Sequence, residues 1–372
     1  TERYNKWRHL FNIHSWMPFY ADIEEIKADP LAVRPGFTVF SQNHLSTLTA
    51  SAGYEYSDRL HKLHSGIRWE GWYPVYDAGI HYGDNPSVLK SKSEDPDPLS
   101  VNPGIHFTNS LSLPLRFSSG KYYQFLQPSL SLSFRNNYIY VKEDALYDYG
   151  QTMTAARLYF YNARRSSVRD IYPIYAQVID LYYSSYPWDR DFYAPLASVQ
   201  TAFFFPGLFP NNSLRIRLEG EQQGSAEFLR TNRLHFPRGY RNIISEKIFF
   251  ASADYRAPLA CPDLSIGSLL YLKRLRAGIF FDYARGTNNY YLQHRSSGGF
   301  RVDHVHRYAE SFTSTGAELI ADFHVLRLPY MISAGVQAAW SADFASPVLE
   351  AIFSIDIHGM SIGRSGPGSI RL

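Results

Sequence analysis

The sequence predicts an all-β protein, a transmembrane antiparallel β-barrel, and three observations carry that reading. No apolar run approaches the about eighteen residues a membrane-crossing helix needs; the longest, from Ala202 to Phe209, is interrupted by Pro206 and Gly207. Segments of about ten residues instead alternate apolar and polar side chains, as strands with one lipid face and one wet face do. Aromatic residues reach 16%, with 29 Tyr and 25 Phe, while charged residues are only 19%. A chain of 372 residues exceeds a typical single soluble domain, and a large barrel is the main exception.

From Leu45 the alternation is clear: Leu48, Ala50, Ala52, Tyr54 and Tyr56 share one face, and Thr49, Ser51, Gly53 and Glu55 the other. Residues 1–35 alternate poorly and are read as a lead-in at the barrel mouth or in its lumen, so the barrel proper is assigned to residues 36–357. Ser57 to Arg59 reads as a turn, and strands follow at Lys62 to Trp72 and Pro74 to Tyr82. The polar, Pro-rich stretch from Gly83 to Pro103 reads as an exposed loop. Leu111, Leu113, Leu115 and Phe117, then Leu130, Leu132 and Phe134, predict a hairpin turning at Ser118 to Gly120.

Strands are expected next at Thr152 to Ala163, Ile171 to Ser184, Ala194 to Phe205 and Ser213 to Gly220. The last sets Leu214, Ile216 and Leu218 against Arg215, Arg217 and Glu219, three charges that are costly in lipid and cheap in a wet lumen. Residues 220–245 form a long loop, followed by strands at Ser245 to Leu259, Tyr271 to Arg285, Phe312 to Val325, Leu328 to Trp340 and Val348 to Ile357. About fourteen strands are legible in all. Residues 358–372 read as a flexible tail, because Gly359 to Gly368 lacks the lysine and flanking elements of a phosphate loop. Alternation alone cannot tell a barrel's inside from its outside. The number of strands and the large charged side chains on their polar faces favour a membrane barrel over a soluble one.

Several chemistries are set aside on the same residues. A net charge of +3 from scattered basic residues gives no nucleic-acid footprint, and the single Cys261 can form no internal disulfide. His9 and His14 lack a third ligand at suitable spacing, and His294, Asp303, His304 and His306 sit in a polar stretch read as an exposed loop, so no metal is expected. No nucleophile elbow occurs, and no catalytic residue or cofactor is assigned. The chain begins at Thr1 without a leader and is read as a mature or excised piece.

Three segments occur in a telling order. Phe236-Pro-Arg-Gly-Tyr240 ends the long loop; Phe249 to Leu259 carries Asp254 followed by Tyr255; Arg276 to Gly286 carries Phe280-Phe281-Asp282. Asp254 shares a face with Ser252 and Arg256, and Asp282 with Arg274, Arg276 and Gly278, so both carboxylates sit on the polar side. This set resembles the BamA-like bacterial surface-antigen superfamily, which includes assembly barrels and the transporters of two-partner secretion. The likeness covers roughly residues 212–357. The chain differs in reading Tyr283-Ala-Arg-Gly286 where the family has an immediate glycine.

The resemblance implies a sixteen-stranded barrel of the bacterial outer membrane in contact with its lipids. Its long loop would fold into the lumen, Arg238 being the loop arginine, Gly239 the turn glycine, Tyr240 the aromatic, and Asp254 and Asp282 the acidic partners. It also implies insertion or translocation of other outer-membrane or surface proteins, with client proteins or accessory subunits as partners, no cofactor, and a soluble domain upstream. A guanidinium fork suits two carboxylates. Three alternatives stay open: a lock that only stabilises the barrel, a passive channel, and a barrel anchoring a soluble domain or surface complex.

Overall fold

A computed structural model of the protein describes residues 10–21, 33–57, 59–84, 88–89, 104–141, 145–165, 170–188, 193–224, 229–296, 299–326 and 331–356. Among these residues the main sheet has nineteen strands. Three are short attachments: Leu115–Ser119, which folds back on Tyr122 to Leu126, Val88–Leu89, and Leu264–Ile266. The rest form a continuous antiparallel meander in which each strand pairs with the next in sequence. It comprises β1 Ile13–Met17, β2 Gly36–Gln42, β3 Leu48–Ser57, β4 Leu60–Trp69, β5 Val75–Asp84, β6 Gly104–Ser112, β7 Tyr122–Val141 and β8 Ala145–Arg164. It continues through β9 Ala176–Ser185, β10 Leu196–Pro206, β11 Ser213–Gln223, β12 Lys247–Ala260, β13 Leu270–Ser296, β14 Gly299–Val325, β15 Met331–Trp340 and β16 Val348–Asp356.

The two strands that alternation did not reveal, β1 and β2, lie before Leu45, so the sheet extends into the segment read as a lead-in. Both are short, and too few alternating positions fall in either to stand out. A separate two-residue ladder, Tyr20–Ala21 with Val33–Arg34, sits beside them.

Which face is inside follows from the distribution of charge. Along β11, Ser213, Arg215, Arg217, Glu219, Glu221 and Gln223 are all buried, while Leu214, Ile216 and Leu218 between them are less so. Period-two alternation puts these sets on opposite faces. On the neighbouring strands Ile279, Phe281, Leu319, Val336, Leu349 and Phe353 are exposed, whereas Asp254, Asp282, Glu318 and Asp322 are buried. Water would drive the reverse arrangement. This is a β-barrel with a polar interior and an apolar exterior.

Prolines account for two departures from the strands read above. The stretch from Leu111 to Phe117 is not one strand: β6 ends at Ser112, and the ladder's last bond runs from Leu113 N to the Pro128 carbonyl before Pro114, which has no N–H to donate. β9 likewise starts at Ala176 rather than Ile171, after Pro173. The residues before it turn inward, where Tyr172 packs on Phe204 over a small buried cluster of Ala163, Ala176, Val178 and Ala202. The Asp170 carbonyl accepts from Arg274 Nη1 at 3.3 Å.

The stretch read as an exposed loop around His294 to His306 extends β13 and β14 into one long hairpin, with Ser296 opposite Gly299. The side chains there, most of the stretch from Gly83 to Pro103, and residues 358–372 lie outside the described residues.

Candidate functional site: an arginine clamp on the inner wall

The loop between β11 and β12 descends along the inner wall, stitched to it at regular intervals. Gln223, Glu221 and Glu219 alternate with outward residues on β11, so their side chains form an inward column. Gln223 Oε1 accepts from Arg230 N at 2.8 Å. Glu221 accepts from Asn232 Nδ2 at 2.6 Å and Arg233 N at 2.9 Å. Glu219 accepts from His235 N at 2.9 Å, with His235 Nδ1 2.8 Å from its other oxygen. Gln200 on β10 donates to the Arg233 carbonyl at 2.9 Å. Backbone that cannot join the sheet ladder thus finds acceptors on the wall.

At the foot of this column Arg238 meets the two predicted carboxylates. Arg238 donates to Asp282 through its backbone N at 3.1 Å, Nε at 2.8 Å and Nη2 at 2.8 Å. Nη2 also donates to Asp254 Oδ1 at 2.7 Å. The guanidinium lies 3.5 Å over the Phe280 ring, a stacked and bidentate geometry that a lysine could not reproduce. Register brings the acids together: Ser252 of β12 faces Asp282 of β13, which puts Asp254 two residues along the same inner face. Each carboxylate is 1% exposed. Burial by itself would lower the Arg238 pKa, but hydrogen bonding to Asp282 and the charge of Asp254 hold it above its ordinary value.

The acids are not equivalent. Asp254 Oδ2 also accepts from Arg215 Nε and Nη2 at 3.1 and 3.0 Å, and Arg217 Nη2 stands 3.5 Å away. Among the described residues, Asp282 is bonded by Arg238 alone. A further wall network, Arg256 with Glu318 and Arg274 and Arg276 with Asp322, continues the charged surface on β12, β13 and β14.

Gly239 has φ +86°, and a Cβ there would lie 2.8 Å from Phe344 Cε2 and 3.2 Å from Ala339 Cβ. Both the backbone conformation and the close approach call for glycine. The turn delivers Tyr240 among Phe236, Phe312 and Phe344, where its hydroxyl donates to Asp343 Oδ2 at 2.5 Å and lies within reach of Ser341 Oγ and the Thr313 carbonyl. Ser341, Asp343 and Phe344 belong to the turn joining β15 to β16, so the loop spans from the wall acids to the last hairpin.

Tyr240→Phe keeps the ring packing and removes this polar grip. Equilibrium unfolding in detergent is expected to show a loss of about 1 kcal/mol.

The motif and its two acids could be found in the sequence. The column of Glu219, Glu221 and Gln223 could be found only in part, through the charge alternation of β11. Ser341 and Asp343 carried no signal, because their role depends on which turn the loop reaches.

No protein-family model and no curated protein matches the chain. Among solved structures, the chain is similar to BamA from Haemophilus ducreyi lacking POTRA domains 1-3, with a TM-score of 0.48 and 11% identity, over 87% of this chain and 68% of that one.

Proposed function

We propose that this chain is an outer-membrane β-barrel of the BamA-like kind that assists insertion or translocation of other outer-membrane or surface proteins, acting without a catalytic nucleophile or metal. The observation that carries this reading is the Arg238 clamp: an internal loop held by two inner-wall carboxylates and grasping, through Tyr240, the turn that leads into the last strand. A loop so placed can couple what occupies the lumen to the position of β15 and β16. The apolar exterior, with Leu130, Ile279, Val336 and Leu349 exposed, suits lipid contact.

The mechanism in this reading is strand addition. The meander begins with the short β1 and ends with β16, and an unpaired strand edge templates an incoming strand through backbone hydrogen bonds, with no cofactor. A passive channel is less favoured, since segments carrying Arg238, Tyr172 and Tyr20 project into the interior.

Depleting the protein in its host and measuring other barrels in the outer membrane tests the proposal. Client barrels are expected to fall. Unchanged client levels with high conductance of the purified protein in planar bilayers would establish a channel instead. Unchanged levels with neither conductance nor client loss, but with co-purifying subunits, would establish an anchor.

A further inference from the structure

On the wall formed by β4, β5 and β6 lies a second cluster, apart from the Arg238 clamp. Register sets His64 opposite His81 and His81 opposite His106. His64 Nδ1 and His81 Nδ1 are 2.6 Å apart, and the His106 ring stacks 5.8 Å from that of His81. The other nitrogen of His64, Nε2, is 3.0 Å from Oε2 of Glu55, which is fully buried. Glu55 also accepts from Arg34 Nη1 at 2.8 Å and from Ser57, with Lys62 Nζ at 3.7 Å.

Tyr20 lies flat on the His64 ring, 4.2 Å between centroids. It fills the space left by Gly53, where a Cβ would come 2.8 Å from the Tyr20 ring. The small ladder of Tyr20–Ala21 with Val33–Arg34 is therefore docked through two side chains, Tyr20 and Arg34, that converge on His64 and Glu55.

Two ring nitrogens at this separation share one proton. The contact holds when the His64 and His81 pair is neutral, one nitrogen donating and the other accepting, and when it carries a single charge. A second proton would set N–H against N–H and cation against cation. The surroundings resist that state. Arg34 and Lys62 already crowd Glu55, the carboxylate that contacts His64 among the described residues. His106 borders His81, Arg135 stands opposite His106 in register, and Asp77, further along β5, is engaged by Arg68. Tyr20 contributes a ring and no positive charge.

We propose that His64 and His81 form an acid-released latch: the pair holds the Tyr20 to Arg34 ladder on the inner wall at neutral pH and lets it go when both rings are protonated. Imidazole is the side chain whose charge ordinarily changes between about pH 5 and 8, which sets the range to search. The latch stands whether or not the barrel assists assembly.

Hydrogen exchange of the purified chain in detergent, with each amide's protection corrected for its intrinsic rate at each pH, tests this. Between about pH 7.5 and about pH 5.5, protection of Tyr20, Ala21, Val33 and Arg34 is expected to fall by about tenfold or more in the native chain. The same fall is expected in His61→Gln, which alters the outward-facing imidazole beside Tyr54 on the same strand. In His81→Gln, whose neutral amide can still meet His64, protection is expected to stay high at the lower pH. His64→Gln carries the same expectation and serves if His81→Gln does not fold. Unchanged protection in the native chain, or an undiminished fall in the His→Gln variants at 64 or 81, would overturn the latch.

Discussion

Asp254→Arg is expected to abolish the folded barrel, read as complete loss of the fast-migrating, heat-modifiable species on gels. Three guanidiniums converge on this carboxylate: Arg215 and Arg238 by direct hydrogen bonds and Arg217 at 3.5 Å. Replacing the anion by a fourth guanidinium leaves a cluster of buried cations in which only Arg238 keeps its carboxylate, Asp282, and Arg215 and Arg217 lose theirs. Breaking a buried pair by removing one partner already costs about 3–5 kcal/mol, and reversal adds repulsion among like charges at short range. Asp254→Asn, which keeps the shape and some acceptor capacity, is expected to lower the unfolding midpoint without preventing folding. Folding of Asp254→Arg with native heat-modifiability would show that the cluster carries none of the barrel's stability.

Arg238→Ala is the second large effect, and its cost arises at the other acid. Asp254 keeps Arg215 and Arg217 when the Arg238 side chain is removed, whereas Asp282 loses both guanidinium bonds and is left with the backbone N–H of residue 238. A carboxylate left buried without its cation costs about 3–5 kcal/mol. Adding Asp282→Asn to Arg238→Ala removes the orphaned charge, so the double variant is expected to recover stability by about 1–3 kcal/mol, although the loop stays released. Asp254→Asn on the Arg238→Ala background is expected to give no such recovery, since it would strip the remaining arginines of their anion. Denaturant unfolding of the native chain and these three variants in one detergent checks the ordering. Equal rescue by either asparagine would mean that the two acids share the arginine evenly.

These outcomes separate stability from function. If Arg238→Ala with Asp282→Asn restores the barrel but not client levels in cells depleted of the native protein, the clamp acts in assembly beyond holding the wall. If client levels return with stability, the clamp is a structural lock.

Much of the barrel was legible because a pleated strand imposes period two on its side chains. The runs around Leu48 to Tyr56, Ser213 to Gly220 and Val348 to Ile357 each show it; the observed strands cover the first two, and the third is a strand from Val348 to Asp356, the last described residue. Short strands such as Ile13–Met17 escape this reading, and a proline can end a ladder within an alternating run, as Pro114 does. The order of Arg238, Asp254 and Asp282 was likewise visible, because strand parity alone put both carboxylates on the polar face.

By itself, then, the sequence determined the class of fold, the polar and apolar identity of most strand faces, and the three charged residues at the centre of the site. Tertiary structure alone decided that Asp254 is shared by three arginines while Asp282 depends on one, and that Tyr240 reaches Asp343. It alone also brought His64 against His81 and Tyr20. The physical reason is that alternation is a local property of the backbone. Register between strands, and the depth to which a loop descends, are set by contacts between residues far apart in the chain.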